Sequence, residues 1–409
     1  MRPYNNTPQD INMTSKERHE ARYHRRKAAR EAKRRAYLDQ YDDFNRIANI
    51  PALLRANWDS RKGVMFKASV LRYNMYAYRN ASRQVKNLKA GKDVRQGFYS
   101  FQVVERGKTR DIHSIHYSER VIRRAVCINA LVPILSHNLI YDNGASLKGR
   151  GVSHHARRCE AHLHRFYREN GGNNGYAICV DFTSYFKNIL HEPLYRNLDR
   201  YVLDPELNAL EKRFIAAPDD FERPPEEHGR GLYIGPEDSQ ILAVSYPNSI
   251  DHKIKDQWRV KQYARYNDDS YLLVKDLPTA KMLLGFLFAE YDQLGIIPNK
   301  KKTQIVKLSN GFSFLKTRYF LLPSGKVVRK PDHKSIVRTR RRVKKHHAMV
   351  MAGVMTEEQA TQSYMSARSA ILTRDAYRSV HSIDQLFYKL YGTTPWKKVK
   401  RRKYHGRKN

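Results

Sequence analysis

The chain has 409 residues, enough for two or three packed domains, and carries 77 Lys and Arg against 40 Asp and Glu, a formal charge of +37. Such an excess repels itself unless a polyanion neutralises it, and nucleic acid is the usual one. Three unevenly spread cysteines, Cys127, Cys159 and Cys179, exclude a disulfide framework and have no zinc spacing.

No apolar run approaches the roughly 20 residues that cross a bilayer. The segment Met1 to Asn6 lacks the apolar core of a secretion signal, so a cytoplasmic protein without a membrane partner is expected. Tyrosines are plentiful, 27 against 3 Trp, and rings beside cations suit base stacking. Composition fits a ribosomal-type RNA-binding protein or a basic membrane-surface protein as well as an enzyme.

In chain order, residues 1–13 are expected to be unstructured. Thr14-Ser15-Lys16-Glu17 has the form of a capping box, and a helix should follow to about Gln40. Residues 16–35 hold ten Lys/Arg against three Glu with almost no apolar stripe, so this helix is solvated or lies on something anionic. From Asp43 to Leu88 the pattern is helical, with Phe44, Ile47, Ile50, Leu53 and Leu54, and later Leu71, Met75 and Tyr78. Phe98 to Glu105 alternates like a strand, Arg106-Gly107 turns, and Lys108 to Ile112 returns. Lys108 and Arg110, two apart on the return strand, share a face and could clamp a triphosphate. A helix is expected over Tyr117 to Ser136, with Arg120, Arg123 and Arg124 beside its apolar face.

Asn143 to Gly151 is a glycine-rich basic loop without the spacing of a P-loop. A helix over Ser153 to Glu169 follows, then a short buried strand, Tyr176 to Val180, ending at Asp181. A carboxylate there is costly unless paired or metal-bound, which makes Asp181 a site candidate. Phe182 to Leu190 should begin as a turn and become a helix. Pro218 to Gly231 is expected to be a polar loop, and Ile241 to Val244 a helix capped near Asp238 or Ser239 and shortened by Pro247.

Two strand-like runs, Trp258 to Tyr266 and Tyr271 to Val274, flank Asn267-Asp268-Asp269. Neighbouring strand residues point to opposite faces, so both acids serve one site only if the backbone bends at Asn267-Asp268. Further on come a helix over Thr279 to Leu294, a basic turn from Pro298 with Lys302, strands over Gly311 to Lys316 and Arg318 to Leu321, a basic helix from Ser335, a broken helix over Ser363 to Leu390, and a tail from Lys397 with eight Lys/Arg and no acid.

The ordered set of a basic hairpin, Asp181 with Phe182 to Ile189, Gly235 to Gln240, Tyr266-Asn267-Asp268-Asp269, Asn299 to Ile305 and Gly311 to Leu315 resembles the fingers and palm of reverse transcriptases, over roughly residues 95 to 350. The resemblance implies an α+β right-hand polymerase fold with fingers, an antiparallel palm sheet and a helical thumb, here with a basic N-terminal helical extension. The corresponding boundaries are 1–42 for the arm, 43–175 for the fingers, 176–322 for the palm, 323–395 for the thumb and 396–409 for the tail.

By the same resemblance the chain makes cDNA on an RNA template from a DNA or RNA primer and dNTPs. Two Mg²⁺ ions about 4 Å apart would be held by Asp181 and Asp268, assisted by Asp269 and the Phe182 carbonyl. Lys302 would protonate the leaving pyrophosphate, Lys108 and Arg110 would neutralise the triphosphate, and Phe186 would exclude a ribose 2′-hydroxyl, against an RNA polymerase. Gly235 and Gln240 would line the nascent base pair. Phe312, Phe314 and Lys316 would grip the primer, and Arg338, Arg341, Arg342 and Lys345 the duplex backbone. Ser239-Gln240, where most bacterial members have Ser-Pro, resembles the enzymes of diversity-generating retroelements, which work with a basic accessory protein. A phage-defence or other bacterial reverse transcriptase, and a non-catalytic RNA-binding protein with a polymerase-like fold, are the alternatives.

Overall fold

The structure, a computed structural model, describes residues 14–105 and 107–396, so the expectations for residues 1–13 and for the basic tail after 396 lie outside the described residues. The chain forms two compact units. The first comprises Met1–Lys148, Thr183–His252 and Glu290–Ile297, and the second Gly149–Phe182, Lys253–Ala289 and Pro298–Asn409. Among the described residues nine strands follow in chain order: β1 (Phe98–Glu105), β2 (Lys108–Ile115), β3 (Tyr176–Val180), β4 (Tyr263–Tyr266), β5 (Asp269–Val274), β6 (Gln304–Lys307), β7 (Phe312–Phe314), β8 (Thr317–Leu321) and β9 (Val327–Pro331). All their pairings are antiparallel, so the α+β class is borne out.

The first unit is mostly helical. Its leading helix, Ser15–Leu38, starts on the expected capping box: Thr14 Oγ1 accepts from the Glu17 amide, and the Glu17 carboxylate accepts from the Thr14 amide. Only Leu38 is buried, so the helix is held at its C-terminal end, where Arg35 pairs with Asp39 and Asp42. Helices Ile50–Ser60, Ala68–Met75 and Ala77–Lys89 are tied together through buried polar groups. The Tyr73 hydroxyl donates to Gln84 Oε1 at 2.7 Å, and the Tyr117 hydroxyl donates to Asn57 Oδ1 at 2.8 Å. One expectation needs correction here: Val70 and Tyr73 are the buried face of this stretch, and Leu71, Met75 and Tyr78 point to solvent.

The helix expected over Tyr117 to Ser136 is one run in three parts, Tyr117–Val126, a π-helical stretch Cys127–Leu131, and Val132–His137. Arg123 is not beside its apolar face but buried within it, over the Phe214 ring at 4.2 Å. Its guanidinium pairs with Glu119 at 2.7 Å and with Asp238 at 2.6 Å. The helix Asp238–Ser245 begins where expected, after Glu237 at its cap, and the Asp238 side chain holds the buried cation instead of a backbone amide. Of the segment Pro218 to Gly231, expected to loop, Pro218 to Phe221 is instead the last turn of the Pro205–Phe221 helix, and the rest is loop around the short turn Pro225–Glu227. Pro218 frees the Phe214 carbonyl four residues back, and that carbonyl faces Arg123 Nη2 at 3.5 Å, which offsets the lost helical bond. Pro247 does end the Asp238–Ser245 helix as expected.

The second unit is built on a four-stranded sheet in the order β4-β5-β3-β6 and a three-stranded sheet β7-β8-β9. One face of the larger sheet presents Ala177, Cys179, Ala264, Tyr271 and Leu273 to the core, where they meet Cys159, Leu163 and Phe166 of the Val152–Asn170 helix and Phe312, Phe314 and Tyr319 of the smaller sheet. Strand β4 is shorter than expected. Lys253–Gln257 is a π-helical turn and Arg259 has a left-handed backbone (φ 52°), so extended structure begins only at Tyr263. Strand β9 adds an edge that the sequence pattern does not announce. The C-terminal helices His333–Met351, Glu357–Leu372 and Tyr377–Tyr391 share a core of Val343, Tyr364, Ile371, Val380, Ile383 and Phe387. Among the described residues no helix is long and apolar enough to cross a membrane.

Candidate functional site

Asp181, Asp268 and Asp269 of the second unit lie at one end of the larger sheet. Val180 of β3 pairs with Ser270 of β5, so one further step along the ladder sets Asp181 against Asp269. Tyr266 pairs with Asp269, leaving Asn267-Asp268 as a two-residue turn. Asn267 takes a left-handed backbone (φ 55°), which asparagine tolerates better than most residues. The bend expected there is present. It lets Asp268 sit in the turn and Asp269 begin the strand beside Asp181.

Local bonds hold these positions. The guanidinium of Arg265, fully buried in β4, donates from Nη1 to the Asn267 carbonyl at 3.1 Å and braces the turn. The Asn299 amide donates to the Asp181 carbonyl at 2.7 Å, and the Lys302 amide donates to the Asn299 carbonyl at 3.0 Å. This chain of bonds anchors the basic turn to the end of β3. Lys302 Nζ then reaches Asp181 Oδ2 at 2.6 Å, although over half of its side chain is exposed. Phe182, next in sequence, is buried and bridges to Pro298.

Asp269 differs from its neighbours. Its Oδ2 accepts from the Leu315 amide at 2.9 Å, in the β7–β8 turn. Leu315 and Lys316 both have left-handed backbones (φ 48° and 59°), an arrangement that closes a two-residue hairpin at some cost in strain for side chains of this size. The Asp269 carboxyl is pushed up to about 7, first by burial; the Leu315 amide opposes this, and the charges of Asp268 and Asp181 add to it. A cluster in which one acid holds its proton against two others favours the approach of cations.

The Val152–Asn170 helix packs on the β4–β5 pair. His162 Nδ1 and the Tyr271 hydroxyl are 2.8 Å apart, and the His155 ring lies edge-on to Tyr266 with centroids 5.2 Å apart. Burial pushes the Cys159 thiol well up and the Cys179 thiol up to about 12, so both stay neutral packing groups. Sequence reasoning missed Arg265, His155, His162 and Leu315. The seven-residue spacing of the two histidines, with Cys159 between them, is a helical face that could have drawn notice.

Phe312 and Phe314 are core residues packed on Tyr271, with ring centroids at 5.4 and 4.8 Å, whereas Lys316 is exposed in the turn beyond them. Arg338, Arg341, Arg342 and Lys345 are all exposed along one side of the His333–Met351 helix, whose buried side carries Thr339 and Val343.

The remaining candidates belong to the first unit. Arg110 is exposed on β2, on the face opposite to Asp111 and His113; the Lys108 backbone is in β2, and its side chain lies outside the described residues. Gly235 is pressed against β2, where a Cβ would stand 2.5 Å from the His113 carbonyl oxygen, so only glycine fits. The His113 amide donates to the Ile234 carbonyl at 3.3 Å and the Leu232 amide to the Phe186 carbonyl at 2.8 Å. These bonds bring β2, the Gly235 turn and Phe186 together. Gln240 is half-buried at the start of the Asp238–Ser245 helix.

Among the described residues no three His, Cys, Asp or Glu side chains converge closely enough to hold a metal ion by themselves. The donor set is nevertheless of the kind that suits Mg²⁺, which takes one or two carboxylates and completes its shell with water and substrate phosphates.

Residues 103–325 match the family described as reverse transcriptase (RNA-dependent DNA polymerase). No curated protein matches the chain. Among solved structures it is similar to telomerase from Candida albicans in complex with the TWJ fragment of telomeric RNA, with 12% identity, a TM-score of 0.46 and coverage of 74% of this chain and 61% of that one. It is also similar to apo telomerase from Candida tropicalis, with 12% identity, a TM-score of 0.45 and coverage of 76% and 62%. The chain thus spans about three fifths of the length of these telomerases.

Proposed function

We propose, since this chain belongs to the reverse transcriptase family, that it is an RNA-directed DNA polymerase whose polymerisation centre is the acidic end of the β4-β5-β3-β6 sheet. The observation that carries this reading is the meeting of Asp181 and Asp269 across the ladder with Asp268 in the adjoining turn. Asp181 and Asp268, with the Phe182 carbonyl, would hold two Mg²⁺ ions. When bound, these ions activate the primer 3′-hydroxyl and stabilise the triphosphate and its leaving group. Asp269, fixed by the Leu315 amide, would assist Asp181 and Asp268. Lys302, whose Nζ now rests on Asp181, would give its proton to the departing pyrophosphate.

Lys108 and Arg110 would neutralise the triphosphate, Gly235 and Gln240 line the base pair, and Phe186 exclude a 2′-hydroxyl so that dNTPs are used. Since Phe312 and Phe314 are buried, the primer grip would act through the turn they flank, with Lys316 reaching the strand. The exposed row Arg338, Arg341, Arg342 and Lys345 would follow the duplex backbone, where shape and 2′-hydroxyls are read without sequence. In this reading residues 43–175 are fingers, 176–322 palm and 323–395 thumb. The Ser239-Gln240 variant supports a diversity-generating retroelement enzyme acting with a basic accessory protein.

The test is incorporation of labelled dNTPs by purified protein on a primed RNA template with Mg²⁺. Asp268→Ala with Asp269→Ala should abolish incorporation while leaving RNA binding in EDTA intact. Normal polymerisation by this double variant would refute the site assignment.

A further inference from the structure

The two faces of the β1–β2 hairpin are used differently. Alternation along β2 sends Arg110 to one face and Asp111 and His113 to the other. The second face is gripped, and the grip comes from one short segment, Glu222 to Gly235.

Ser100 of β1 and His113 of β2 are register partners. The Glu222 carboxylate bridges this rung of the ladder: Ser100 Oγ donates to Oε1 at 2.8 Å, and His113 Nδ1 stands 2.9 Å from Oε2. The side chains of His113 and Glu222 are only 19% and 26% exposed, so water competes weakly for the contact. The Tyr233 ring stacks on the His113 ring with centroids 3.6 Å apart and planes 15° apart, and the Arg223 guanidinium lies over Tyr233 at 4.8 Å from its centroid. Glu222 and Arg223 are themselves fixed, since both amides donate to the Pro218 carbonyl, at 3.0 and 2.9 Å, where the Pro205–Phe221 helix ends. The Lys187–Asp111 pair also touches this face, but its side chains are exposed and it contributes little by comparison.

Arg110 projects from the opposite face, three residues from His113, so the grip acts on the placement of the hairpin and not on a bound nucleotide. We propose that Glu222 and Tyr233 are positioning residues: by fixing the Ser100–His113 rung they set where the hairpin presents Arg110 to the triphosphate of an incoming nucleotide. This role rests on the reading that Arg110 neutralises that triphosphate. A cation held in place before the nucleotide arrives spares the ordering cost at binding. Loosening the rung therefore weakens nucleotide affinity and leaves the chemical step alone.

Single-turnover incorporation by the full chain on a primed RNA template gives the nucleotide Kd and the maximal rate separately. Glu222→Ala and Tyr233→Ala should each raise the dNTP Kd about tenfold and keep the maximal rate within about twofold. Adding Glu222→Ala to Arg110→Ala should raise the Kd less than about threefold beyond Arg110→Ala, because the group being placed is already gone. Losses that multiply, or a slowed maximal rate in Glu222→Ala, would give Glu222 a merely structural role and overturn the proposal. The cycle decides even where a variant melts lower, since a general loss of stability does not depend on residue 110. A raised Kd in Arg110→Ala with an unchanged one in Glu222→Ala would overturn the positioning role alone. An unchanged Kd in Arg110→Ala would overturn the triphosphate reading and this role with it.

Discussion

Asp181 and Asp269 stand side by side at the end of one ladder, yet their surroundings differ. Asp181 is tied through its carbonyl to Asn299 and through its carboxylate to Lys302. Asp269 is buried, accepts from the Leu315 amide and holds its proton to about 7. An asparagine at 269 keeps the acceptor for Leu315 and lifts the cost of a buried charge, so Asp269→Asn should retain measurable dNTP incorporation. Asp181→Asn and Asp268→Asn should each lose about 10³-fold or more, since the proposed metals depend on their charge. Equal losses at all three positions, measured as single-turnover incorporation, would contradict this ranking. Phe186→Ala should raise the use of ribonucleotides relative to deoxynucleotides about tenfold, the scale on which pocket shape discriminates. An unchanged ratio in competition assays would remove Phe186 from the gate.

At the scale of elements, the helix that carries Ser239-Gln240 is set by a buried ionic cluster. Arg123 binds Glu119 and Asp238, and Glu211, fully buried near them, has its carboxyl pushed well above the ordinary value, first by burial and then by the Asp238 charge. In its protonated form Glu211 can donate to the neighbouring Asp238 carboxylate. The folded protein therefore favours the protonated Glu211. That contribution to stability is complete below about pH 4.5, the ordinary value, and is lost as pH rises toward the folded value. Glu211→Gln is neutral at every pH, so its melting temperature should gain on the wild type from pH 5 to pH 8. A gap that stays constant over that range would place the proton elsewhere. Elements were legible where local chemistry dominates, as at the Thr14 capping box and the Asn267 turn. They were misread where a distant partner changes the rule: Pro218 stays helical because Arg123 faces the carbonyl it frees, and Trp258 to Gln262 is not strand because Arg259 turns left-handed.

Across the whole molecule, a charge of +37 needs somewhere to go. The Ser15–Leu38 helix buries only Leu38 and is otherwise open along its length, which suits a rod of cations that neutralises phosphates. Deleting residues 1–40 should weaken binding to a structured RNA and flatten its salt dependence, the slope falling by about 0.7–0.9 for each phosphate that the arm would have neutralised. An unchanged slope in filter binding would make the helix a spacer. By itself the sequence determined the acids, cations and turn residues and their order along the chain, because turns, caps and strand alternation answer to neighbouring residues. Only the tertiary structure decided that Asp269 keeps its proton while Asp181 pairs with Lys302, that Arg123 is buried, and that Met75 and Tyr78 face outward. Desolvation, pairing and burial are set by groups brought from far along the chain, and no local pattern encodes them.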